Sequence, residues 1–314
     1  MSATPSVNHL PVVLAASVLF LWFGPASRAQ QPPVRQLEQV PPVPESELQP
    51  EELREAERSG DLGKEVILEP KRLRMFEAYS GTQYLYNNNV LLAPSERKKD
   101  TLLFQTFGAS FSPPLIPKLS SAIFFRYQII RYDDEIKHGT NEVVDLDFDA
   151  LAGGLSLSYP LQDWLTAYGS WTAQRLTFEC EDRSFYKEFD TQLGLRATKP
   201  LGRRAAAYCG YQFNWRAVSP AQFNRVENAG YTGINLALVD KLTALLLYRL
   251  RFSDYLDVHR NDLDHQVSLT FAYSFHEYVG VRAYALYGNN DSNQSLFDYE
   301  VVNAGGGVTL SLRF

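Results

Sequence analysis

Cysteine is nearly absent from the chain. Cys180 and Cys209 are the two among 314 residues, too few for the disulfide framework of a small secreted domain, which uses about four or more. Beyond Gly24 no apolar run approaches the ~20 residues a helix needs to cross a bilayer, so a membrane protein built of helices is excluded. Glycine-rich phosphate loops, basic patches for nucleic acid and a convincing metal-ligand spacing are also missing, which leaves no cofactor and no nucleic-acid partner to expect. Aromatic residues run the other way, with 18 Tyr and 19 Phe in a chain of net charge −6. A soluble β-domain and a transmembrane β-barrel are the classes these counts leave.

The first eleven residues, MSATPSVNHLP, carry no Lys or Arg. Val12 to Gly24, VVLAASVLFLWFG, then forms one apolar run, followed by Pro25 and the small-residue pattern Ser27-Arg28-Ala29. The run is short for a bilayer span, so residues 1–29 read as a secretory signal peptide, with a retained anchor as the competing reading. No Cys near the cleavage site is available to accept a lipid. Residues 30–72, QQPPVRQLEQVPPVPESELQPEELREAERSG and its continuation, are Pro-rich and charged, without aromatics until the barrel begins. Such a stretch buries too little apolar surface to offset its ordering entropy, and reads as a disordered periplasmic linker. The alternative is an arm that binds a periplasmic partner.

Over 73–314 the apolar period becomes two. Val267, Leu269, Phe271, Tyr273 and Phe275 alternate with Gln266, Ser268, Thr270, Ala272, Ser274 and His276. Successive side chains of a strand point to opposite faces, so one face is apolar and the other small or polar. Phe189, Thr191, Leu193, Leu195 and Ala197 stand in the same way against Glu188, Asp190, Gln192, Gly194 and Arg196. About twelve such segments occur, near residues 73–86, 101–112, 119–132, 143–159, 164–178, 186–198, 204–217, 226–238, 242–253, 265–275, 279–288 and 298–314. An even strand number suits a single-chain outer-membrane barrel. The first, second and fourth segments alternate less cleanly. In the fourth, Asp145, Asp147 and Asp149 share a parity with Leu151, Leu155 and Leu157, which predicts either a bulge near 149–152 or a strand that extends beyond the bilayer.

The connections alternate as well. PPLIPK, PLQD, KPLGR, VDK and HEY are short, while NNNVLLAPSERKKD, DDEIKHGTNE, ECEDRSFY, DYLDVHRNDLDH and NNDSNQSLFD are long and polar. Short turns at one rim and long loops at the other are expected of a barrel with periplasmic turns and extracellular loops. Aromatic residues near strand ends, such as Tyr84, Tyr86, Tyr159, Trp164, Trp215 and Tyr278, suit girdles at headgroup depth.

The chain ends VTLSLRF, with Val308, Leu310, Leu312 and Phe314 on one face and Thr309, Ser311 and Arg313 on the other. A last strand that finishes on an aromatic resembles the insertion signal of Gram-negative outer-membrane β-barrels. Leu312 and Phe314 match that pattern, whereas Thr309 stands where Gly is usual and Gly307 where a polar residue is usual. The resemblance spans about residues 71–314 and implies an all-β, antiparallel up-and-down transmembrane barrel of about twelve strands. It also implies outer-membrane lipid and the barrel assembly machinery as partners, with Leu310, Leu312 and Phe314 as the assembly signal.

An Arg facing lipid at mid-bilayer costs roughly 2–4 kcal/mol, so mid-strand arginines should face inward. This predicts Arg126, Arg196, Arg216, Arg249, Arg251, Arg282 and Arg313 in the lumen, with Glu188 and Asp190 as the clear inward acids. One Arg selects little through water, but several along a narrow lumen add to a preference for anions. In strand number and inward Arg the chain resembles twelve-stranded porins for acidic sugars, which makes a small-solute porin the leading reading. A plugged or structural barrel fits the same pattern, because strand numbers between eight and sixteen settle neither case. An outer-membrane hydrolase is the third class. Asp257-Val258-His259, with Asp262, Asp264 and His265 nearby, is the one stretch reminiscent of an omptin-like protease, and His276 lacks the Ser neighbour a phospholipase would need.

Overall fold

The computed structural model describes residues 75–314 apart from 96, 134–135, 139–141, 145 and 179–183. The signal peptide, the linker, Asp145 and Cys180 lie outside the described residues. The strands are β1 (Phe76–Asn87), β2 (Asp100–Phe111), β3 (Ser120–Tyr132), β4 (Ile136–His138), β5 (Glu142–Val144), β6 (Phe148–Gln162) and β7 (Leu165–Phe178). They continue with β8 (Ser184–Pro200), β9 (Ala205–Ser219), β10 (Arg225–Val239), β11 (Leu242–Tyr255), β12 (Arg260–His276), β13 (Val279–Ser292) and β14 (Tyr299–Arg313). Twelve of them close one antiparallel barrel, β1-β14-β13-β12-β11-β10-β9-β8-β7-β6-β3-β2, and β4 and β5 pair as a separate hairpin.

Closure follows from the last strand. β14 pairs with β1 from Glu77↔Arg313 to Asn87↔Asn303. The backbones of Phe76 and Phe314 exchange two hydrogen bonds of 3.0 Å, so the ladder runs to the final residue. Their rings stack at 6.0 Å, and Phe76 stacks in turn on Phe111 at 4.6 Å. The barrel sheet therefore has no free edge for another chain to pair with, which is its advantage over an open sheet.

Alternation sorts the faces as the period of two requires. Leu193, Leu195, Trp215, Leu246, Leu250, Phe271 and Leu310 are exposed on the outer wall, while their strand neighbours face inward. Outward Cys209 is a free thiol in that apolar band. Register shifts fall at the rims, at Pro160/Gln162, Ala237/Val239 and Ser274/His276 at the short-turn end and Leu176/Thr177 at the long-loop end. Rims are where a bulge re-aims a side chain without breaking the wall.

The phase question in β6 is answered by its register. Pairing with β3 and β7 is continuous from Phe148 to Tyr159, so there is no bulge at 149–152. The strand begins at Phe148, and Asp149 shares the outward parity of Leu151 because it caps the apolar band. There it accepts from outward Arg131 at 2.9 Å, and Asp147 lies 3.9 Å from the same guanidinium.

Inward tyrosines are folded flat onto the wall. Tyr168 on β7 pairs with Gly194 on β8, and a Cβ on that glycine would lie 2.3 Å from the ring. Tyr231 covers Gly210 in the same way, again at 2.3 Å. Glycine is required at these two sites by close approach, and each flattened ring keeps the lumen clear.

Candidate functional site

All the predicted lumen residues face inward, but they do not form one continuous track. Arg216 lies 3.2 Å from Glu188, 3.8 Å from Asp190 and 3.1 Å from Glu227. Arg225 lies 2.7 Å from Glu227 and 3.9 Å from Glu188, and Arg251 lies 3.8 Å from Glu227 and 3.5 Å from Asp264. Arg260 completes the lattice on Asp262 and is held between the rings of Tyr255 and Phe297, 4.3 and 3.6 Å from its guanidinium carbon. The lattice sits in the half of the barrel nearer the long loops and is buried except for Asp190, which is partly exposed.

Five of its members, Arg225, Glu227, Arg260, Asp262 and Asp264, are absent from the sequence-based set. β10 starts at Arg225 rather than 226, and β12 starts at Arg260 rather than 265. A signal was available, since Arg260, Asp262 and Asp264 continue the inward parity of Gln266 and Ser268, with Leu263 outward beside them. The acids of the supposed external loop are therefore structural partners of arginine. In the same stretch Asp257 accepts from Asn224 at 2.6 Å, and outward His265 meets the hydroxyl of Tyr248 at 2.9 Å. Among the described residues no group of three His, Cys, Asp or Glu is set to hold a metal ion.

Opposite the lattice the same half of the lumen is apolar. Leu85, Leu102, Phe104, Ile130, Phe148, Leu176 and Tyr186, from β1, β2, β3, β6, β7 and β8, form one buried cluster. Its inner partner is Val90, from the connection between β1 and β2, and Leu92 of that connection packs on Tyr299 and Val301 of β14. Val90 and Leu92 are 0 % exposed. The segment expected as a solvated external loop thus folds into the barrel mouth. Asn89 makes this tolerable, because buried loop backbone must find partners. Its side-chain amide accepts from the Ala93 N–H at 3.0 Å and donates to the carbonyls of Ala93 and Glu300, both at 2.9 Å.

The half nearer the short turns has a different character. Arg126, Gln128, Ser170, Gln192, Arg196, Gln212, Tyr231 and Arg249 face inward and are partly exposed. In a closed barrel that exposure can only be to the lumen, so this half holds a water-accessible chamber. Arg282 also faces it, buried and with its guanidinium 5.5 Å from the Tyr284 ring. Between these arginines and the short-turn rim the one inward carboxylate among the described strand residues is Glu77 at the mouth, and it is paired with Arg313 at 3.1 Å. Charge inside the barrel is consequently polarised, balanced toward the long loops and cationic toward the short turns.

No protein-family model and no curated protein matches the chain. Its fold does match solved structures. An outer membrane channel from Pseudomonas putida F1 aligns with a TM-score of 0.54 at 10% identity, covering 76% of this chain and 95% of that one. The KdgM porin in complex with disordered oligogalacturonate aligns at 0.41 and 8% identity, covering 74% of this chain and 99% of that one. An anion-selective porin from Comamonas acidovorans aligns at 0.40 and 10% identity, covering 76% of this chain and 98% of that one. With its closed antiparallel ladder and its apolar outer wall, the chain has the fold of a twelve-stranded β-barrel, similar to that of the Pseudomonas putida outer membrane channel.

Proposed function

We propose that the barrel is a channel for small anionic solutes, held closed at its long-loop end in this structure by the 88–99 connection. The observation that carries the reading is the set of four inward guanidinium groups, Arg126, Arg196, Arg249 and Arg282, on the short-turn side of the acid-bearing lattice. Cations along a narrow, low-dielectric passage attract anions and repel cations over a distance of about a Debye length, ~8 Å in physiological salt.

The closed half supports a second reading, a plugged barrel without transport. All twelve barrel strands contribute a buried inward side chain there, among them Asn87, Leu102, Ile130, Phe148, Leu176, Glu188, Arg216, Glu227, Arg251, Asp264, Asn290 and Val301. Planar-bilayer recording of the refolded protein separates the two readings when Val90-Leu91-Leu92-Ala93 is replaced by Gly-Ser-Gly-Ser. The channel reading expects brief openings in the parent, a sustained conductance in the variant, and a reversal potential in a salt gradient that favours the anion in both. A barrel that stays silent after the replacement, while remaining folded and heat-modifiable on a gel, is a plug.

A further inference from the structure

The outer wall carries a pair of cations that the lumen does not use. Arg175 on β7 and Lys187 on β8 are direct register partners, both outward and both exposed. Side chains so placed have Cβ atoms about 4.5–5.5 Å apart, and like charges directly opposite destabilise a sheet. Among the described residues no carboxylate lies against either. Outward Arg131, by contrast, is neutralised by Asp149 and Asp147. Ser219 of β9 continues the Arg175–Lys187 row, since it pairs with Lys187.

The position of the pair along the strand points to what resolves the repulsion. On β8 the outward residues between Lys187 and Lys199 are Phe189, Thr191, Leu193, Leu195 and Ala197. Twelve residues at about 3.3 Å each, tilted by ~45°, rise roughly 28 Å, close to the ~25 Å apolar band of such barrels. Lys187 therefore stands at one headgroup level, with Trp171, Ala173 and Phe189 on the acyl-chain side of it. The extra residue at the Leu176/Thr177 shift, Phe185, turns inward onto Phe178 and Phe148 at 4.0 and 6.1 Å, and so leaves Lys187 outward. Across the barrel the outward rim carries exposed Asp254 and Asp291, and Glu300 there is neutralised by Arg97 at 3.0 Å. An anionic headgroup is attracted to one side of the wall and repelled from the other.

We propose that Arg175 and Lys187 form a binding site for the headgroup phosphate of a membrane lipid, with its acyl chains lying along Trp171, Ala173 and Phe189. Two cations meet one phosphate by charge-assisted hydrogen bonds, and the apolar wall beneath selects a lipid over a free ion.

The site is tested with the mature chain from Gln30, refolded into phosphatidylcholine vesicles. Replacing Trp164 and Trp215 with Phe leaves Trp171 as the single indole. Brominated phosphatidic acid and brominated phosphatidylcholine are compared as quenchers at equal mole fraction. The proposal expects about a thirtyfold preference for phosphatidic acid near Trp171, the size expected of two interfacial cations acting on one phosphate. In R175Q/K187Q the preference should fall to near unity while quenching by phosphatidylcholine is unchanged, which also reports an intact barrel. A parent without preference, or a preference that survives the double substitution, overturns the site. Loss of the preference on adding millimolar inorganic phosphate would assign the cations to a free anion instead and overturn the lipid reading.

Discussion

Glu227 is the residue on which the closed half depends most. It is 1% exposed and lies within 3.8 Å of three guanidinium groups, those of Arg216, Arg225 and Arg251. A buried ion pair adds little net stability when intact, because desolvation offsets attraction, but removing one partner strands the other charge. Glu227→Ala takes a carboxylate from all three at once, leaving Arg216 to Glu188 and Asp190, Arg225 to Glu188 at 3.9 Å and Arg251 to Asp264 at 3.5 Å. We expect it to lower the unfolding free energy in lipid or detergent by about 3–5 kcal/mol, read from urea titrations of the folded, heat-modifiable band. Arg126→Gln, in the water-accessible half, should change it by less than about 1 kcal/mol. Equal losses in the two variants would mean that the lattice and the chamber are not energetically distinct. Inward arginines were legible from alternation, since each sits on the parity opposite an apolar face. The rest of the lattice was not: Glu227 was passed over inside its segment, and Arg225, Arg260, Asp262 and Asp264 lie just beyond the apolar segments that mark a strand in sequence.

Two elements show how local pattern and tertiary environment divide the work. β14 reads correctly from its alternation alone, and its outward Leu310, Leu312 and Phe314 are 53%, 57% and 69% exposed on the wall. If that face is also the assembly signal, deleting Phe314 should abolish insertion into the outer membrane, with the protein accumulating in the periplasm. Arg313→Gln should insert normally, because Arg313 faces inward at the short-turn mouth, where it pairs with Glu77. Equal insertion of the Phe314-deleted and parent chains, assayed by membrane fractionation, would remove the assembly role. The 88–99 connection is the opposite case. Its composition, NNNVLLAPSERKKD to Asp100, is that of a polar loop, yet Val90 and Leu92 are core. The same packing explains why β1, β2 and β6 alternate poorly. Tyr84-Leu85-Tyr86 and Leu102-Leu103-Phe104 are apolar on both faces, one facing lipid and the other the inserted loop.

For the whole molecule, the alternation of short and long connections assigns the two ends of the barrel. Both chain ends of the barrel lie at the short-turn rim, since Glu77 pairs with Arg313 there. With that rim in the periplasm, an epitope inserted at Leu201 should be silent on intact cells, and one at Asn293, in the long connection between β13 and β14, should be labelled. The reverse pattern would invert the barrel and place the cationic chamber toward the cell exterior. Sequence by itself determined the class of fold, the strand number, which residues face lipid and which face inward, because a period of two is a local property that every strand repeats. How the lumen is filled was decided only by tertiary structure. Inward parity says nothing about height along the axis or about which residues across the barrel share a level, and strand tilt brings together side chains far apart in the chain. That geometry placed Glu227 among three arginines, left Arg126 and Arg249 facing water, and drew a short apolar run into the mouth, where the alternative was to leave the cluster of Leu102, Ile130 and Phe148 exposed to solvent.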